Sequence, residues 1–409
     1  MSQLKYIDES EIFNYPNQRK EHKMKRVYLD YNSTTPLYPE AVEAMLPYLR
    51  EHFGNPSNLH FYGRETREAI ENARVQVAEL INASPEEIFF TSGGTEANNW
   101  AIKGIAYGRE DKGHIISSPI EHGSVFSSCR ELEPEGYDIT SVNVDSYGVV
   151  DPDDIKKAIK KNTILITVMH SNNEVGTIEP IKEIAKIAQE SKIRFHTDAV
   201  ASCGKLKLDV KDLGVDLLTI SAHKIHGPKG SGALYVKNGI KLEPIIHGGH
   251  QEQGLRAGTE NLVGIVGFGK ACSILKNTMD EDIKKIKALR DRLEQEIFKI
   301  IPEVRLNGHP EKRLVNTTQI SVAYVEGEAL LVNLDLEGVA VASGSACASG
   351  SPEPSPVLKA MNVPPEYINS PVRFSLGREN TMEEIDYAVD VLEKVTKRLR
   401  AISPLWKKK

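Results

Sequence analysis

The chain has 409 residues, of which 40% are hydrophobic and 26% charged, and its formal net charge is −6. This length predicts two or three structural units, and the composition excludes a wholly disordered, collagen-like or coiled-coil chain. The acidic balance lacks the basic excess of a dedicated nucleic-acid binder. No apolar run approaches the roughly 20 residues of a membrane helix, so neither nucleic acid nor a membrane is an expected partner.

The N-terminal residues 1–26 are polar and contain no apolar segment typical of a secretory signal, so we expect an extension outside the fold. The cysteines are widely spaced and form no CxxC pair; they are Cys129, Cys203, Cys272 and Cys347. This spacing favours neither a disulfide framework nor a zinc site and fits a reducing compartment. A cytoplasmic location is therefore predicted.

Strand-like and helical patterns alternate through the first two thirds of the chain. In order, the pattern predicts a short strand at 27–30, helices at 40–52 and 64–81, a strand at 87–91, a helix beginning near 95, strands at 114–118 and 163–169, a helix at 181–190, and strands at 193–197, 216–221 and 232–236. Such alternation indicates an α/β fold with a mostly parallel sheet covered on both faces.

The last third has a different pattern. A long charged amphipathic run from Met279 to Ile301 predicts a connector helix, followed by strands at 317–325 and 371–377 and a helix at 383–399. We predict a large domain over 35–278, and a smaller α+β domain formed by 27–34 and 279–409. The smaller domain carries a loop rich in Ser, Gly and Pro at 343–356.

Three segments of the large domain carry chemistry when they are considered together. In TSGGTEANN, a strand ends at Thr91, and glycines lead into a helix whose N-terminal N–H groups favour an anion. Asp198 and Lys224 each follow a buried strand, at the edge where open α/β sheets bind ligands. Alone, each segment is more often an ordinary turn, a capping Asp or a solvated lysine. Together they are what pyridoxal 5′-phosphate (PLP) requires: a phosphate site, a partner for the ring nitrogen and a Schiff-base lysine.

Three further residues are candidates for the same chemistry. His122 follows the strand at 114–118 and could cover the cofactor ring. Cys347 lies on the polar loop, where exposure favours a reactive thiol over a buried structural one. Arg373 lies between Val372 and Phe374 on a strand-like segment and needs an anionic partner, either a substrate carboxylate or a structural carboxylate.

At these residues the sequence resembles the cysteine desulfurases of the NifS/IscS group, within the class-V aminotransferase family. The resemblance covers roughly Val27 to the C-terminus. The matching segments, in family order, are LDYNSTTP, GNPSNLH, TSGGTEANN, EHGSV, MHSNNEVG, HTDA, SAHKIHGPKG, HGGHQEQGLRAGT, SGSACASGSPEPS and RFSLG. This resemblance implies PLP fold type I, with a mostly parallel seven-stranded sheet in the large domain. It also implies the long form of the loop that carries the cysteine.

The resemblance also implies roles for individual residues. Those assigned to the cofactor are Gly94, Thr95, His122, Asn173, Asp198, Ser221, His223, Lys224 and Thr259. Among them, Lys224 is the Schiff-base lysine and His122 an acid/base candidate. Thr259 reaches the phosphate of a neighbouring subunit, which implies a homodimer. Asn32 and Arg373 hold the substrate carboxylate.

For Cys347 the implied role is that of the nucleophile that takes sulfur from L-cysteine and leaves L-alanine. No metal site is predicted firmly, although Cys347 is a candidate iron–sulfur ligand. The segment Arg398–Trp406 is similar to the tail by which housekeeping members dock an iron–sulfur scaffold protein. We expect Leu405 and Trp406 to be exposed there.

One residue departs from the family pattern. After HTDAV the family has a Gln that donates a hydrogen bond to the cofactor's ring oxygen, whereas this chain has Ala201. The alternatives to a desulfurase are a selenocysteine lyase, another PLP-dependent lyase or transferase, a weakly active scaffold subunit that lends Cys347 to a cluster, and an α/β protein without PLP.

Overall fold

The computed structural model describes residues 25–344 and 354–406. Helices and strands alternate through its first part, as the sequence predicts. In chain order they are β1 (Val27–Tyr28), α1 (Pro39–Arg50), α2 (Phe61–Leu80), β2 (Ile88–Thr91), α3 (Gly94–Tyr107), β3 (His114–Ser117), α4 (Gly123–Leu132), β4 (Asp138–Ser141), α5 (Pro152–Ala158), β5 (Thr163–Thr167), α6 (Ile181–Glu190), β6 (Arg194–Asp198), α7 (Val210–Leu213), β7 (Leu217–Ser221) and β8 (Gly232–Val236).

Seven of these strands form one sheet, in the order β2-β8-β7-β6-β5-β3-β4. Strand β8 is antiparallel to both of its neighbours, whereas the pairings from β7 through β4 are parallel. Strands β2 and β7 therefore point the same way, and their carboxyl ends share an edge with those of β3 and β6. The predicted fold class is confirmed.

Alternate residues of the strands enter two different hydrophobic clusters, as the two-residue period of a strand requires. Phe90, Ile116 and Leu218 pack in a cluster with residues of α2 and α6. Their neighbours along the strands, including Phe89 and Ile115, pack in a second cluster with residues of α3 and α4. Because both faces of the sheet are covered, its inner strands read as continuous apolar runs.

The remaining elements form a smaller arrangement around two short sheets. They are α8 (Leu262–Ile300), β9 (Val304–Asn307), β10 (Thr317–Val322), α9 (Gly327–Leu336), β11 (Val339–Ala340), α10 (Pro356–Ala360), α11 (Pro365–Ile368), β12 (Pro371–Ser375) and α12 (Met382–Ile402). The antiparallel sheet has the order β12-β10-β9, and β1 pairs with β11. Thr381 and Glu384 form a reciprocal capping box that begins α12.

Helix α8 differs from the predicted connector helix. It begins at Leu262 instead of Met279, so the predicted boundary after residue 278 falls inside the helix. The added N-terminal part is the apolar, glycine-rich segment LVGIVGFG, which packs in the cluster beneath the large sheet. Gly269 is needed there, because a Cβ would lie 2.6 Å from Ala73 of α2.

The expectation that Trp406 is exposed is wrong. Its ring is half-buried against the guanidinium of Arg400, 4.4 Å from the ring centre, and near the ring of Tyr324. This cation–π contact ties the aromatic group to its own helix, whereas Leu405 and Ile402 remain exposed. None of the described helices combines the length and hydropathy required to cross a membrane.

Candidate active site

A cavity of about 270 Å³ opens at the carboxyl edge of the large sheet, where the strand order leaves the ends of β2, β3, β6 and β7 together. Ten of the residues predicted from the sequence line it: Asn32, Gly94, Thr95, His122, Asn173, Asp198, Ser221, His223, Lys224 and Arg373. Ala201 lines it as well. The topology thus brings together segments that are more than three hundred residues apart in the chain.

One end of the cavity is built to receive an anion. Gly94 begins α3, and the first-turn N–H groups of a helix have no intrahelical partner. A side chain at Gly94 would place its Cβ 2.9 Å from Val200, so glycine is required for this approach. Ser221 and His223 follow β7 across the opening. Burial and nearby lysines lower the pKa of His223 to about 4, which leaves a neutral imidazole that can donate one N–H.

Asp198 forms the acidic side of the cavity. It ends β6 and is 5% exposed. Its carboxylate accepts hydrogen bonds from the Asn98 amide at 2.6 Å and from the Val200 N–H at 2.9 Å. Asn98 also donates to the hydroxyl of Ser124. These donors fix the orientation of the carboxylate.

Lys224 closes the cavity on another side. It lies on the 3-10 turn Ala222–Lys224 that follows β7. Its ammonium donates to the carbonyl oxygens of Asn32 and Ser33, the latter at 2.8 Å. Burial, together with the positive charges of Arg373 and Lys205, lowers the pKa of the amine to about 8. A neutral amine is therefore accessible near physiological pH, as a nucleophile or base requires.

His122 caps helix α4 with its side chain. Nδ1 accepts the Ser124 N–H at 3.2 Å and lies 2.7 Å from the Ser124 hydroxyl. Because Nδ1 accepts this bond, Nε2 carries the proton of the neutral ring. Ser124 links His122 to Asn98 and through it to Asp198.

Arg373 lies on β12 and already has an anionic partner. One Nη donates to Asp30 at 2.7 Å and to Ser33 at 2.9 Å, and the other donates to the carbonyls of Asn173 and Gly344. Its Nε has no partner among the described residues. Binding a substrate carboxylate through two nitrogens therefore requires Arg373 to exchange one of these contacts.

The Asn32 amide group is also fully engaged. Its Nδ2 donates to the Asn173 carbonyl at 3.2 Å and to the Thr317 hydroxyl at 2.9 Å, and its Oδ1 accepts from Asn316. Both donors of the Nδ2 group are used. In this arrangement Asn32 orients the Asn173 and Lys224 segments instead of presenting a free donor.

Two predicted residues are not in the cavity. Thr259 is exposed and does not line it, so its role toward a neighbouring subunit stays a prediction. Cys347 lies outside the described residues. The two edges of its loop are tied down, because Arg373 binds the Gly344 carbonyl and Glu174 accepts the Ser355 hydroxyl at 2.6 Å.

The residues fit PLP on the chemistry of the donor set. An amine, a buried carboxylate and a helix N-terminus occupy three different sides of one cavity. The cofactor offers an aldehyde, a ring nitrogen and a phosphate to match them.

Sequence reasoning missed Asn98 and Lys205. Asn98 is part of TSGGTEANN and stands three positions after Thr95, so helical periodicity could have placed both on one face of α3. Lys205 carries no comparable signal, because its contact with Lys224 depends on the packing of two turns.

The comparisons with known proteins are consistent with this geometry. The family model described as "Aminotransferase class-V" matches residues 27–388. The protein named cysteine desulfurase IscS from Dictyoglomus turgidum is 56% identical over 383 residues, which cover 93% of this chain and 97% of that protein.

Solved structures share the fold over nearly the same range. A structure titled "NIFS-LIKE PROTEIN" is 36% identical, with a TM-score of 0.87 and coverage of 92% of this chain and 100% of that one. A structure titled "SspA in complex with cysteine" is also 36% identical, with a TM-score of 0.77 and coverage of 87% and 100%.

Proposed function

Because the chain belongs to the class-V aminotransferase family, we propose that it is a cysteine desulfurase in which Lys224 holds PLP and Cys347 receives the sulfur. It is a PLP-dependent enzyme. The observation that carries the residue assignment is the placement of Lys224 and Asp198 on one cavity, with the amine pKa lowered to about 8. In the overall reaction, L-cysteine and the Cys347 thiol give L-alanine and a persulfide on Cys347, so the Cβ–S bond of the substrate breaks and an S–S bond forms.

The support for L-cysteine as the substrate comes from the relatives. The Dictyoglomus protein is named a cysteine desulfurase, and SspA was solved with cysteine. The relatives' name IscS agrees with a role in supplying sulfur for iron–sulfur cluster assembly.

Each group in the cavity has a defined task in this proposal. When bound, PLP supplies a ring that stabilises negative charge at the substrate's α carbon. Asp198, held by Asn98 and Val200, keeps a negative charge opposite the ring nitrogen. Thr95, Ser221, His223 and the α3 N-terminus bind the phosphate, with Gly94 allowing close approach. Asn173 contacts the cofactor beside them.

Lys224 and His122 handle protons. A neutral Lys224 amine accepts the substrate's α-proton, and the share of neutral amine rises as the pH passes through about 8. His122 carries its exchangeable proton on Nε2, because Nδ1 is committed to Ser124. Arg373 orients the substrate carboxylate after exchanging a contact with Asp30 or Gly344, and Asn32 holds the surrounding backbone. Such positioning lowers the activation barrier because the substrate loses its translational and rotational freedom on binding, before the reaction begins.

The partners in this proposal are a second copy of the chain and an iron–sulfur scaffold protein that accepts sulfur from Cys347. Exposed apolar side chains within residues 53–62, where the connection after α1 leads into α2, support the homodimer, in which Thr259 would reach the neighbouring phosphate site. Cys347 is also a candidate ligand for a cluster during transfer. Exposed Leu405 and Ile402, instead of Trp406, are the apolar groups left for docking at the C-terminal end of α12. The cytoplasmic location stays a prediction.

The decisive experiment compares wild type, Lys224→Ala and Cys347→Ser with L-cysteine. The wild type should form equal amounts of alanine and transferable sulfur, with mass spectrometry showing one added sulfur on the Cys347 peptide. Lys224→Ala should lose turnover and the visible absorbance of bound cofactor. Cys347→Ser should bind cofactor and substrate yet release no sulfide.

The exposed Lys207→Ala serves as the control and should match the wild type, because Lys207 lies at the surface beside Asp280. Added sulfur on Cys129, Cys203 or Cys272 would refute the Cys347 assignment. Full activity of Cys347→Ser on L-selenocysteine, with none on L-cysteine in any variant, would favour the selenocysteine lyase.

A further inference from the structure

Lys205 is a lysine enclosed within the protein behind the cavity, and no motif or task described above uses it. The residue is only 8% exposed. Its titratable neighbours are the thiol of Cys203, the amine of Lys224 and the imidazoles of His223 and His226, and no carboxylate among the described residues forms an ion pair with it. A buried ammonium without a counter-charge is costly, and burial lowers its pKa to about 8. A surface role does not account for this placement.

The local backbone directs Lys205 inward. The turn after β6 is closed by hydrogen bonds from Cys203 N–H to the Ala199 carbonyl and from Lys205 N–H to the Ser202 carbonyl, both 2.9 Å. Gly204 has a φ of +78°, in the left-handed region that favours glycine. A Cβ there would lie 2.9 Å from Leu275 and 3.0 Å from Ile225. The chain can therefore pass close to the Lys224 turn only with glycine at this position.

The ammonium of Lys205 contacts the backbone of Lys224 directly. Its Nζ donates to the Lys224 carbonyl oxygen at 2.7 Å. This bond fixes the peptide plane from which the Lys224 side chain leaves, at the end of the 3-10 turn. A charge-assisted hydrogen bond of this kind is stronger than a neutral one.

The charges around the Lys224 amine come from four elements. Arg373 of β12 and Lys205 of the turn after β6 are positive and favour the neutral amine. Asp30, which follows β1, and Asp198 of β6 are negative and favour the ammonium. His223, on the same turn as Lys224, is neutral at pH 7. Lys229 is a further cation, close enough to His223 to lower the pKa of its imidazole. Arg373 is paired with Asp30, whereas Lys205 forms no ion pair within residues 25–344 and 354–406, so its charge is uncompensated there.

We propose that Lys205 is a positioning residue for Lys224, which holds the Lys224 backbone by a hydrogen bond and places an uncompensated positive charge behind its amine. The inference rests on the proposed function only in taking Lys224 as the lysine that binds the cofactor. The amine must lose one proton to solvent before it can act as a nucleophile or base, and the charge of Lys205 favours that loss.

The test measures the titration of the Lys224 amine in the full chain freed of cofactor. Trace labelling with acetic anhydride over pH 6–10, followed by peptide mass spectrometry, gives the midpoint for the Lys224 peptide. Lys205→Met removes the charge and the donor at similar length. Its midpoint should rise by up to about one pH unit, because a nearby like charge lowers an amine pKa and Lys205 carries that charge below about pH 8. The acid limb of turnover in the holoenzyme should move in the same direction.

The matched control is Lys207→Met, which removes the same charge from an exposed lysine two residues away. Its labelling midpoint should stay within a few tenths of the wild-type value. If Lys205→Met does not fold, as judged by circular dichroism, Lys205→Gln provides the same charge test with a donor retained.

An unchanged midpoint in the folded charge-free variant would overturn the proposal, as would an equal rise in Lys207→Met. The labelling does not depend on turnover. An enzyme without desulfurase activity but with the expected midpoint shift would therefore contradict the proposed function and leave the role of Lys205 intact.

Discussion

Ala201 presents a methyl group to the cavity at the position where the resemblance places a Gln donor. The next residue, Ser202, does not replace that donor. Its hydroxyl is buried, lies 2.8 Å from Nδ1 of His170 and 2.6 Å from the Ser171 hydroxyl, and so is already engaged. The ring oxygen of a bound cofactor is therefore left without a side-chain donor from this segment.

Ala201→Gln should restore the missing donor. A hydrogen bond to a charged oxygen contributes about 1.5–3 kcal/mol, which corresponds to roughly one to two units in the pKa that governs the cofactor's absorbance. We expect the spectral titration of the variant to shift by that amount and its turnover with L-cysteine to rise. The measurement is a pH titration of the visible spectrum, with initial rates taken on the same samples.

Ala201→Leu is the control, because it adds comparable bulk without a donor and should not reproduce the shift. Superimposable titrations of wild type and Ala201→Gln would show that water already supplies the bond, and the prediction would be wrong.

The candidate site shows which residues a sequence can reveal. Asp198, Lys224 and the glycine turn follow apolar runs that end at one edge of a parallel sheet, so their proximity follows from topology. The engagement of Arg373 with Asp30 could not be foreseen, since those residues are 343 positions apart. A strand arginine such as Arg373 needs an anionic partner, and Asp30 is the structural carboxylate that it contacts.

The segment Gln251–Arg256 is held between two arginine–glutamate pairs. Glu252 accepts both Nη groups of Arg74 on α2, at 2.7 and 2.8 Å, and also the Phe90 N–H of β2. Arg256 donates to both oxygens of Glu96, in the first turn of α3. The first pair is buried. The segment that leads to Thr259 is thus fixed to β2 and α3, the elements on either side of the proposed phosphate site.

Glu252→Gln should lower the free energy of unfolding by about 3 kcal/mol, because it removes the buried carboxylate and leaves Arg74 only the half-exposed Glu71 as an acidic partner among the described residues. Denaturant unfolding followed by circular dichroism provides the measurement.

The surface comparison is Glu79→Gln, which removes a carboxylate that pairs with Lys276 where both side chains are about half exposed. This variant should lower the free energy of unfolding by less than about 1 kcal/mol. Equal losses in the two variants would contradict the account of a buried, energetically important pair.

Among the elements, apolar runs predicted the inner strands well and failed at an edge. Strand β4 has the sequence DITS, and none of its four residues is fully buried. It gives no hydrophobic signal because its side chains are exposed or partly exposed, whereas β2 at the opposite edge is buried along its whole length. The early start of α8 was missed for the opposite reason: a helix that is buried all round lacks the amphipathic period on which helix prediction relies.

On the molecule as a whole, several large exposed apolar side chains lie within residues 53–62, where the connection after α1 leads into α2. Leu59 is 90% exposed and Phe53 is 76% exposed. Phe53 and Phe61 both pack against Tyr62, with ring centres 5.3 and 4.1 Å apart. Contiguous apolar surface of this kind marks an interaction site. In the proposed homodimer a second copy of the chain would cover this surface, and the exposed Thr259 would reach the cavity of that copy.

The double variant Phe53→Glu/Leu59→Glu should convert a dimeric wild type to a monomer, because two carboxylates would be buried without partners in the interface. Analytical ultracentrifugation at micromolar concentration measures the change. The cofactor should also bind more weakly, since the neighbouring Thr259 would be lost.

Leu336→Glu changes another exposed apolar residue, 66% exposed on α9, and should leave the wild-type mass unchanged. A monomeric wild type, or a double variant that remains a dimer, would refute the interface.

Helix α8 has a consequence for how the molecule comes apart. Its first half places Ile265, Phe268 and Leu275 in the cluster beneath the large sheet. Its second half places Leu289 and Leu293 in the cluster of the smaller arrangement, beside residues of β10 and α12. Unwinding this helix anywhere along its 39 residues strips apolar groups from one cluster and loosens the other. The two halves of the chain therefore share a cooperative unit, and a cut within α8 would deprive both fragments of part of their core.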